Sequence, residues 1–123
     1  MTRRLLYAPL VLLFSLAMFA ASPPALAQTF AQLGADIDGE AAGDQSGASV
    51  SLSGGRLAIG TPGSGGNGPD SGRTRVYEYD AVAGVWTQIG QDLDGEAEGD
   101  VSGRSVSLSG DRVAIGAIGN DGN

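Results

Sequence analysis

Two acidic turns are the part of this sequence whose residue types and spacing suit a chemical role. The first begins at Asp36 and the second at Asp92. In each turn, acidic residues stand at relative positions 1, 3, 5 and 9, which is the side-chain spacing of a calcium loop. A hard cation needs several oxygen ligands that converge within one turn. The candidate metal ligands are Asp36, Asp38, Glu40 and Asp44 in the first turn, and Asp92, Asp94, Glu96 and Asp100 in the second.

The match to a calcium loop is incomplete, which leaves a second interpretation open. The glycine, Gly39, stands at position 4 rather than 6, and the acid at position 5 is the longer Glu40. The alternative is an acidic, solvated loop in which Asp44 or Asp100 accepts backbone N–H groups of the turn. Calcium is the only cofactor that the sequence suggests.

Catalytic chemistry has little support in the sequence. The chain contains no His and no Cys, so acid–base, nucleophilic or zinc chemistry based on those residues is absent from it. The paired carboxylates recur once per repeat, which fits a structural role better than a single active site. We therefore predict that the protein is not an enzyme. Tyr77, Tyr79 and Trp86 suit a sugar-stacking surface, but aromatic residues at strand positions of a repeat more often pack in the core between neighbouring units.

The turns belong to a repeat. Residues 28–67 and 84–123 align without a gap at an offset of 56 residues, with 24 identities in 40 positions. A fixed period of this size indicates a repeat architecture, in which each unit buries its apolar face only against the next copy.

Each repeat predicts short antiparallel strands. Residues 49–53 alternate Ser with Val or Leu, and we expect the small serines to permit close approach of a neighbouring sheet. Gly54-Gly55 then predicts a two-residue hairpin, and residues 57–59 form a continuous apolar strand. The copy of this hairpin has Gly110-Asp111 at its turn.

Two more strands complete the unit. Residues 73–79 alternate so that Arg75, Tyr77 and Tyr79 share one face, and residues 85–89 form the fourth strand. Between the second and third strands, we expect residues 63–72 to form a flexible surface loop, too polar and glycine-rich to pack. Four strands over this period are typical of a β-propeller blade, and they fit a β-sandwich or a β-solenoid less well. The predicted class is all-β.

The N-terminus and the charge balance indicate an exported protein. Residues 1–27 combine Arg3-Arg4, an apolar core and the small-residue site Ala25-Leu26-Ala27, which is typical of a cleaved signal peptide. The alternative is an uncleaved anchor, but the apolar core is shorter than the roughly 20 residues that span a bilayer. The remaining chain holds all 14 acidic residues and no Lys. This balance argues against nucleic acid and anionic membranes as partners.

The pattern resembles the FG-GAP repeat, the blade of the integrin-alpha-type β-propeller, in the form found in exported bacterial proteins. Ser46-Gly47 and Ser102-Gly103 stand where that family has Phe-Gly, and Gly60-Thr61-Pro62 and Gly116-Ala117-Ile118 stand where it has Gly-Ala-Pro. Residues 75–79 resemble its Gly-x-Val-x-Val-Tyr strand. The family's usual calcium loop, Asp-x-Asp/Asn-x-Asp-Gly-x-x-Asp, has no counterpart in the short turns at 53–56 and 109–112.

The resemblance implies a ring of usually seven blades that binds ligands or mediates adhesion outside the cell. On this basis, residues 28–34 are the outer strand of a preceding or closing blade, 35–90 a complete blade, and 91–123 a truncated second blade. The predicted function is binding of an extracellular protein or carbohydrate, with further blades or self-association completing the fold. Two alternatives remain: a non-catalytic scaffold within a larger exported hydrolase, and a purely structural surface repeat.

Overall fold

A computed structural model describes residues 29–122. From Ala31 onward these residues belong to one compact unit, while Thr29 and Phe30 lie outside it. The predicted signal peptide, residues 1–27, falls outside the described residues. Seven strands form the unit: β1 (Ser49–Ser53), β2 (Arg56–Thr61), β3 (Arg73–Asp80), β4 (Val85–Gln88), β5 (Leu93–Asp94), β6 (Ser102–Ser109) and β7 (Arg112–Ala117).

The first repeat forms the predicted four-stranded blade. Its strands lie in the order β1-β2-β3-β4, and each pairs antiparallel with its neighbour. The short β5 also pairs with β3, opposite Arg73 and Thr74. The second repeat contributes the antiparallel hairpin β6-β7. The all-β propeller-blade architecture predicted from the sequence is confirmed.

The hairpin turns follow from glycine. Ser53 pairs with Arg56, which leaves Gly54 and Gly55 as a two-residue turn, and Gly54 has a φ of 58°. The second hairpin repeats this turn, because Gly110 also has a φ of 58°. Glycine adopts this left-handed conformation without the steric cost that a Cβ imposes.

The loops that connect the strands lie at two opposite ends of the blade, which we call rims. β1 and β3 start at the rim that carries residues 35–48 and 62–72, and β2 and β4 end there. The acidic turns therefore lie on this rim, which we call the acidic rim. The opposite rim carries the hairpin turns and the β3–β4 turn, in which Asp80 accepts the backbone N–H groups of Val82 and Ala83. These bonds lower the pKa of Asp80, the bond from Ala83 contributing most.

The second hairpin packs against the serine side of the first blade, as the sequence predicted. Ser51 Oγ accepts a hydrogen bond from the backbone N–H of Leu108 at 2.9 Å. Ser49 Oγ donates to the carbonyl of Gly103 at 2.7 Å. β6 lies close enough for these bonds because serine is small, and Ala58, Ile59 and Leu108 form the buried apolar core.

The glycine-rich loop at 63–72 differs from its prediction at its two ends, which are packed, while residues 65–67, 69 and 70 are exposed as expected of a surface loop. Ser64 is 3% exposed and Ser71 is fully buried. Gly72 N donates to the Ser64 carbonyl, and Ser102 N donates to the Ser71 carbonyl. The ends of the loop pack through backbone hydrogen bonds within the loop and from Ser102 of β6, so they need no apolar side chains.

Residues 29–34 form no strand among the described residues, and their place as the outer strand of a preceding or closing blade stays a prediction, because no such blade is described. A strand requires a neighbour that accepts and donates backbone hydrogen bonds, and no described strand pairs with this segment. Its contact with the blade is made through a side chain, since Trp86 Nε1 donates to the carbonyl of Leu33 at 2.8 Å.

Residues 29–122 contain no helix with the length and apolar character needed to cross a membrane.

Candidate functional site

An arginine pair on β3 organises the acidic rim. Arg73 and Arg75 are two residues apart, so their side chains leave the same face of the strand. Both guanidinium groups are largely shielded from water, with side-chain exposures of 15% and 18%. A buried cation is stable only when carboxylates pair with it. The acidic turns provide those carboxylates.

Arg75 binds a carboxylate from each repeat. Its Nε and Nη2 donate to the two oxygens of Asp92 at 2.7 and 2.8 Å, a bidentate geometry that matches the planar guanidinium. Nη2 also donates to Glu40 Oε1 at 2.5 Å. Gln88 Nε2 adds a further bond to Asp92 at 2.8 Å.

Arg73 likewise contacts a carboxylate from each repeat. Its Nε donates to Asp94 Oδ1 at 2.6 Å, and its Nη1 donates to Glu40 Oε2 at 2.7 Å. Nη1 also lies 3.1 Å from Asp92 Oδ2. We call these five residues, Arg73, Arg75, Glu40, Asp92 and Asp94, the arginine cluster.

The arginine cluster shifts the ionisation of its members. The pKa of Asp92 lies well below its usual range, chiefly because Arg75 donates to the carboxylate. The pKa of Glu40 is lowered for the same reason, and the hydrogen bonds that Arg75 donates to Asp92 raise the pKa of Arg75. The hydrogen bond that Arg73 donates to Asp94 likewise raises the pKa of Arg73. In the arginine cluster three carboxylates therefore face two guanidinium groups.

The remaining predicted ligands lie outside the arginine cluster. Asp36 accepts a bond from Gln32 Nε2 at 2.8 Å, which copies the bond between Gln88 and Asp92. Asp100 is 4% exposed and accepts the backbone N–H of Ala97 at 2.9 Å. This bond is of the kind that the second interpretation gave to Asp100, although the side chain is buried rather than solvated.

The other three lie elsewhere on the acidic rim. Asp38 is exposed, and the Asp44 backbone carbonyl accepts a bond from Gly63. Glu96 Oε2 lies 3.4 Å from Asn120 Nδ2.

The geometry brings carboxylates together around cations that the chain itself provides. Among residues 29–122, no three acidic side chains are grouped in a way that could hold a metal ion. Glu40, Asp92 and Asp94 instead direct their oxygens at Arg73 and Arg75. The calcium site inferred from the spacing stays a prediction. What the arrangement does chemically is connect the acidic turns of two successive repeats through one strand.

Sequence reasoning missed the two arginines. It placed Arg75 correctly on one face with Tyr77 and Tyr79 but gave it no role in the site. A signal was present, because the segment Arg73-Thr74-Arg75 concentrates two of the few cations of an acidic chain on one strand face. Two cations on one half-buried face predict nearby carboxylates.

The aromatic residues pack rather than form an open platform. Tyr79 and Trp86 are half-buried cross-strand partners with ring centroids 5.2 Å apart. Since the indole N–H of Trp86 binds Leu33, this pair fixes residues 31–34 against β4. The two rings pack within one blade, whereas the sequence favoured a place in the core between blades.

Comparison with known families agrees with this architecture. The sequence profile of the FG-GAP repeat matches residues 31–77 and 92–123, well over half of the chain. The chain belongs to the FG-GAP repeat family. No characterised protein and no solved structure showed significant similarity to it.

The FG-GAP signature positions have structural roles here. Gly47, the glycine of the first signature, has a φ of 85° and donates its N–H to the Gly60 carbonyl at 3.1 Å. This bond ties the residues just before β1 to the end of β2. Pro62, in the second signature, is fully buried beneath the loop at 63–72. The FG-GAP unit thus places its acidic turn directly over the ends of β1 and β2.

Proposed function

We propose that this FG-GAP repeat protein is a secreted or cell-surface binding module of the propeller type, with no catalytic role, and that its acidic rim contacts an extracellular protein or carbohydrate. The observation that carries the proposal is the arginine cluster. It joins Glu40 from one repeat with Asp92 and Asp94 from the next, so successive acidic turns are held side by side on one rim.

The rim supports binding because it combines rigidity with exposed charge. Arg73 and Arg75 tie carboxylate side chains of both turns to β3, while Asp38 and Glu98 remain exposed on the turns. Rigid loops lose little conformational entropy when a ligand binds. Exposed carboxylates select a ligand that presents cations or hydroxyl donors. The predicted signal peptide supports placement outside the cell.

A matched pair of variants tests the rim. Asp38→Asn removes one exposed charge from the acidic rim, and Asp111→Asn removes one exposed charge from the opposite rim. We expect the unaltered chain to bind a subset of an immobilised glycan array or a panel of extracellular matrix proteins. Asp38→Asn should weaken that binding and Asp111→Asn should not. Equal effects of the two variants would reject the acidic rim as the contact surface.

The location outside the cell has its own test. Fractionation of cells that produce the full chain should recover it from the medium or the cell surface, cleaved before Gln28. An uncleaved chain retained inside the cell would contradict this part of the proposal without affecting the rim experiment.

Calcium is proposed as a stabiliser of the same rim. Support comes from the ligand-type spacing of the turns and from the exposed Asp38. Added Ca²⁺ should raise the melting temperature of the chain, and the Asp38→Ala, Asp94→Ala double variant should abolish the rise. The comparison is between the Ca²⁺-induced rises in melting temperature of the unaltered chain and the double variant. The melting temperatures themselves are not compared, because Asp94→Ala also removes the ion pair with Arg73. An unaltered chain that does not respond to Ca²⁺ would end this proposal.

A purely structural surface repeat is the second candidate. It is favoured by the fact that three of the predicted ligands are already engaged by arginine. Absence of any ligand in the array and matrix panels, together with normal export, would favour it over the binding module.

A further inference from the structure

The loop between β2 and β3 contains the chain's one Asn-Gly pair, Asn67-Gly68. An asparagine followed by glycine is prone to ring closure, because a residue without a Cβ lets its backbone nitrogen approach the side-chain carbonyl carbon of the preceding residue. Asn67 is exposed, so water reaches it, and Gly68 has a φ of 114°, a conformation that residues with a Cβ rarely adopt. The chemistry of this pair is therefore that of spontaneous deamidation.

The side-chain amide of Asn67 connects two repeats. Its Nδ2 donates to the backbone carbonyl of Gly95 at 2.7 Å. Gly95 lies in the second acidic turn and is buried. The backbone N–H of Asn67 donates to Ser71 Oγ at 3.1 Å, which bonds the tip of the loop to its end. We call the bond between Asn67 and Gly95 the amide tie.

A carboxylate in place of this amide cannot form the amide tie, because it has no proton to donate. The Gly95 carbonyl then loses its side-chain donor, and loss of a hydrogen bond from a buried group is destabilising. The surroundings are already acidic, since a Cβ on the neighbouring Gly66 would lie 2.7 Å from the carboxyl carbon of Asp94. Arg73 also lies beside Gly66, but three carboxylates already surround its guanidinium group.

The structure distinguishes this pair from the Asp-Gly pair that it contacts. Aspartate followed by glycine can close the same ring, but at Asp94-Gly95 both reacting groups are engaged. The Asp94 carboxylate is paired with Arg73 at 2.6 Å, and the Gly95 N–H donates to a backbone carbonyl of the loop at 2.8 Å. Within residues 29–122, by contrast, no acceptor binds the Gly68 N–H. At Asn67 the amide tie is the bond that ring closure must break.

We propose that Asn67 is a deamidation site and that its conversion removes the amide tie between the two repeats. The backbone nitrogen of Gly68 attacks Cγ of Asn67, and the new C–N bond closes a succinimide ring. The side-chain nitrogen leaves as ammonia, taking the proton of the Gly68 N–H. Water then adds to either ring carbonyl and opens the ring to aspartate or isoaspartate, so each conversion consumes a water and releases an ammonia. The inference does not depend on the proposed function.

The amide tie also sets the rate of the reaction. The side chain of Asn67 must leave Gly95 before Cγ can be attacked, so conversion proceeds from the molecules in which the tie is open. A hydrogen bond of ordinary net strength makes conversion in the folded chain about fivefold slower than in the unfolded chain. The modification therefore records irreversibly how often the loop leaves the second acidic turn.

Trypsin provides a direct assay on the full chain. Cleavage after Arg56 and Arg73 releases residues 57–73, in which Asn67 carries the only side-chain amide. We incubate the folded chain at mildly alkaline pH and measure the fragment by mass spectrometry. The fragment should gain the mass difference between a carboxyl and an amide, and it should separate chromatographically into two products. The gain should be about fivefold slower than in concentrated guanidinium chloride.

The same digest contains an internal control. Residues 113–123 form a second fragment, in which no asparagine precedes glycine. This fragment should convert more slowly than residues 57–73 in the same sample.

Variants of the full chain test the consequence for stability. Asn67→Asp represents one product and should raise the unfolding equilibrium constant about 5–30-fold. Asn120→Asp makes the same charge change at another exposed residue and should change this constant by no more than about twofold. Asn67→Gln closes only a larger and slower ring, so its stability should be the same before and after incubation, whereas the unaltered chain becomes less stable as it converts.

The proposal is wrong if residues 57–73 of the folded chain stay unchanged over a period in which the unfolded chain converts. Equal rates in the folded and unfolded chains would also reject it, because the amide tie would then have no effect. So would an Asn67→Asp variant that is no less stable than Asn120→Asp. If Asn67→Asp does not fold, fresh and converted samples of the unaltered chain are compared instead, and equal stability of the two rejects the proposal.

Discussion

Replacement of Arg75 by Gln is the sharpest test of the arginine cluster. The variant loses two charge-assisted hydrogen bonds to Asp92, at 2.7 and 2.8 Å, in a pair whose side chains are 18% and 27% exposed. Hydrogen bonds to charged groups contribute about 1.5–3 kcal/mol in protected sites, and exposed ion pairs contribute about 0.2–1 kcal/mol. For this partly shielded pair we expect a loss of about 2 kcal/mol in the free energy of unfolding.

The assay is thermal or urea unfolding of the full chain at low concentration, followed by the fluorescence of Trp86. A loss of about 2 kcal/mol lowers the melting temperature by about 8–16 °C for a domain of roughly 60–100 residues. Arg112→Gln is the control, because Arg112 is 91% exposed and its only described ion pair, with Asp111, spans 3.9 Å. Arg75→Lys keeps the positive charge but cannot donate two parallel hydrogen bonds to Asp92. Its loss of stability should lie between those of Arg75→Gln and Arg112→Gln.

The pH dependence of the stability difference provides a second test of the arginine cluster, because its direction can be stated in advance. The folded pKa of Asp92 is depressed by Arg75, so the stabilisation is complete above the ordinary Asp pKa of about 3.9 and is lost as the pH falls below it. The stability gap between the unaltered chain and Arg75→Gln should therefore be constant near neutrality and narrow in acid. An Arg75→Gln loss no larger than that of Arg112→Gln, or a gap that persists in strong acid, would refute the reasoning.

Further predictions concern the contact between the two hairpins. Gly60→Ala should cost about 1–3 kcal/mol, because its new Cβ would meet the backbone carbonyl of Gly103 on β6. Gly116→Ala is the repeat-matched control and should change stability by no more than about 0.5 kcal/mol, since its Cβ would meet only the movable hydroxyl of Ser105. Equal losses of unfolding free energy for Gly60→Ala and Gly116→Ala, measured by denaturant titration at concentrations where the chain is monomeric, would contradict this prediction. Thr74→Val should raise stability by about 1 kcal/mol, because Thr74 Oγ1 is buried without a hydrogen-bond partner among the described residues. A lower urea midpoint for Thr74→Val would count against it.

Much of the fold could be predicted from the repeat. The period-two pattern of residues 49–53 gives both a strand and the direction of its serines, and the glycines at 54 and 110 give the hairpin turns. These features depend on residue type and near neighbours. The same local reasoning was wrong at the two ends of the loop at 63–72, where it took glycine and serine as signs of a flexible loop. There the backbone hydrogen bonds to Ser64 and Ser102 order the chain.

The candidate site was only partly predictable. Sequence spacing identified the acidic turns, and it also offered the interpretation that Asp100 caps a backbone N–H of its turn, which the structure confirms. It gave no partner to Glu40, because Arg75 lies 35 residues away along the chain. Local patterns contain no information about which turn lies over which strand.

The sequence by itself determined that this protein is a repeated, all-β, acidic chain with small serines on one face of its first strand. Those properties depend on composition, on period and on residues within a few positions of one another. Only the tertiary structure decided that the carboxylates of two turns meet the arginines of β3, and that the serines of β1 bond the backbone of β6. Both outcomes depend on long-range strand order, which places side chains of distant segments within hydrogen-bonding distance.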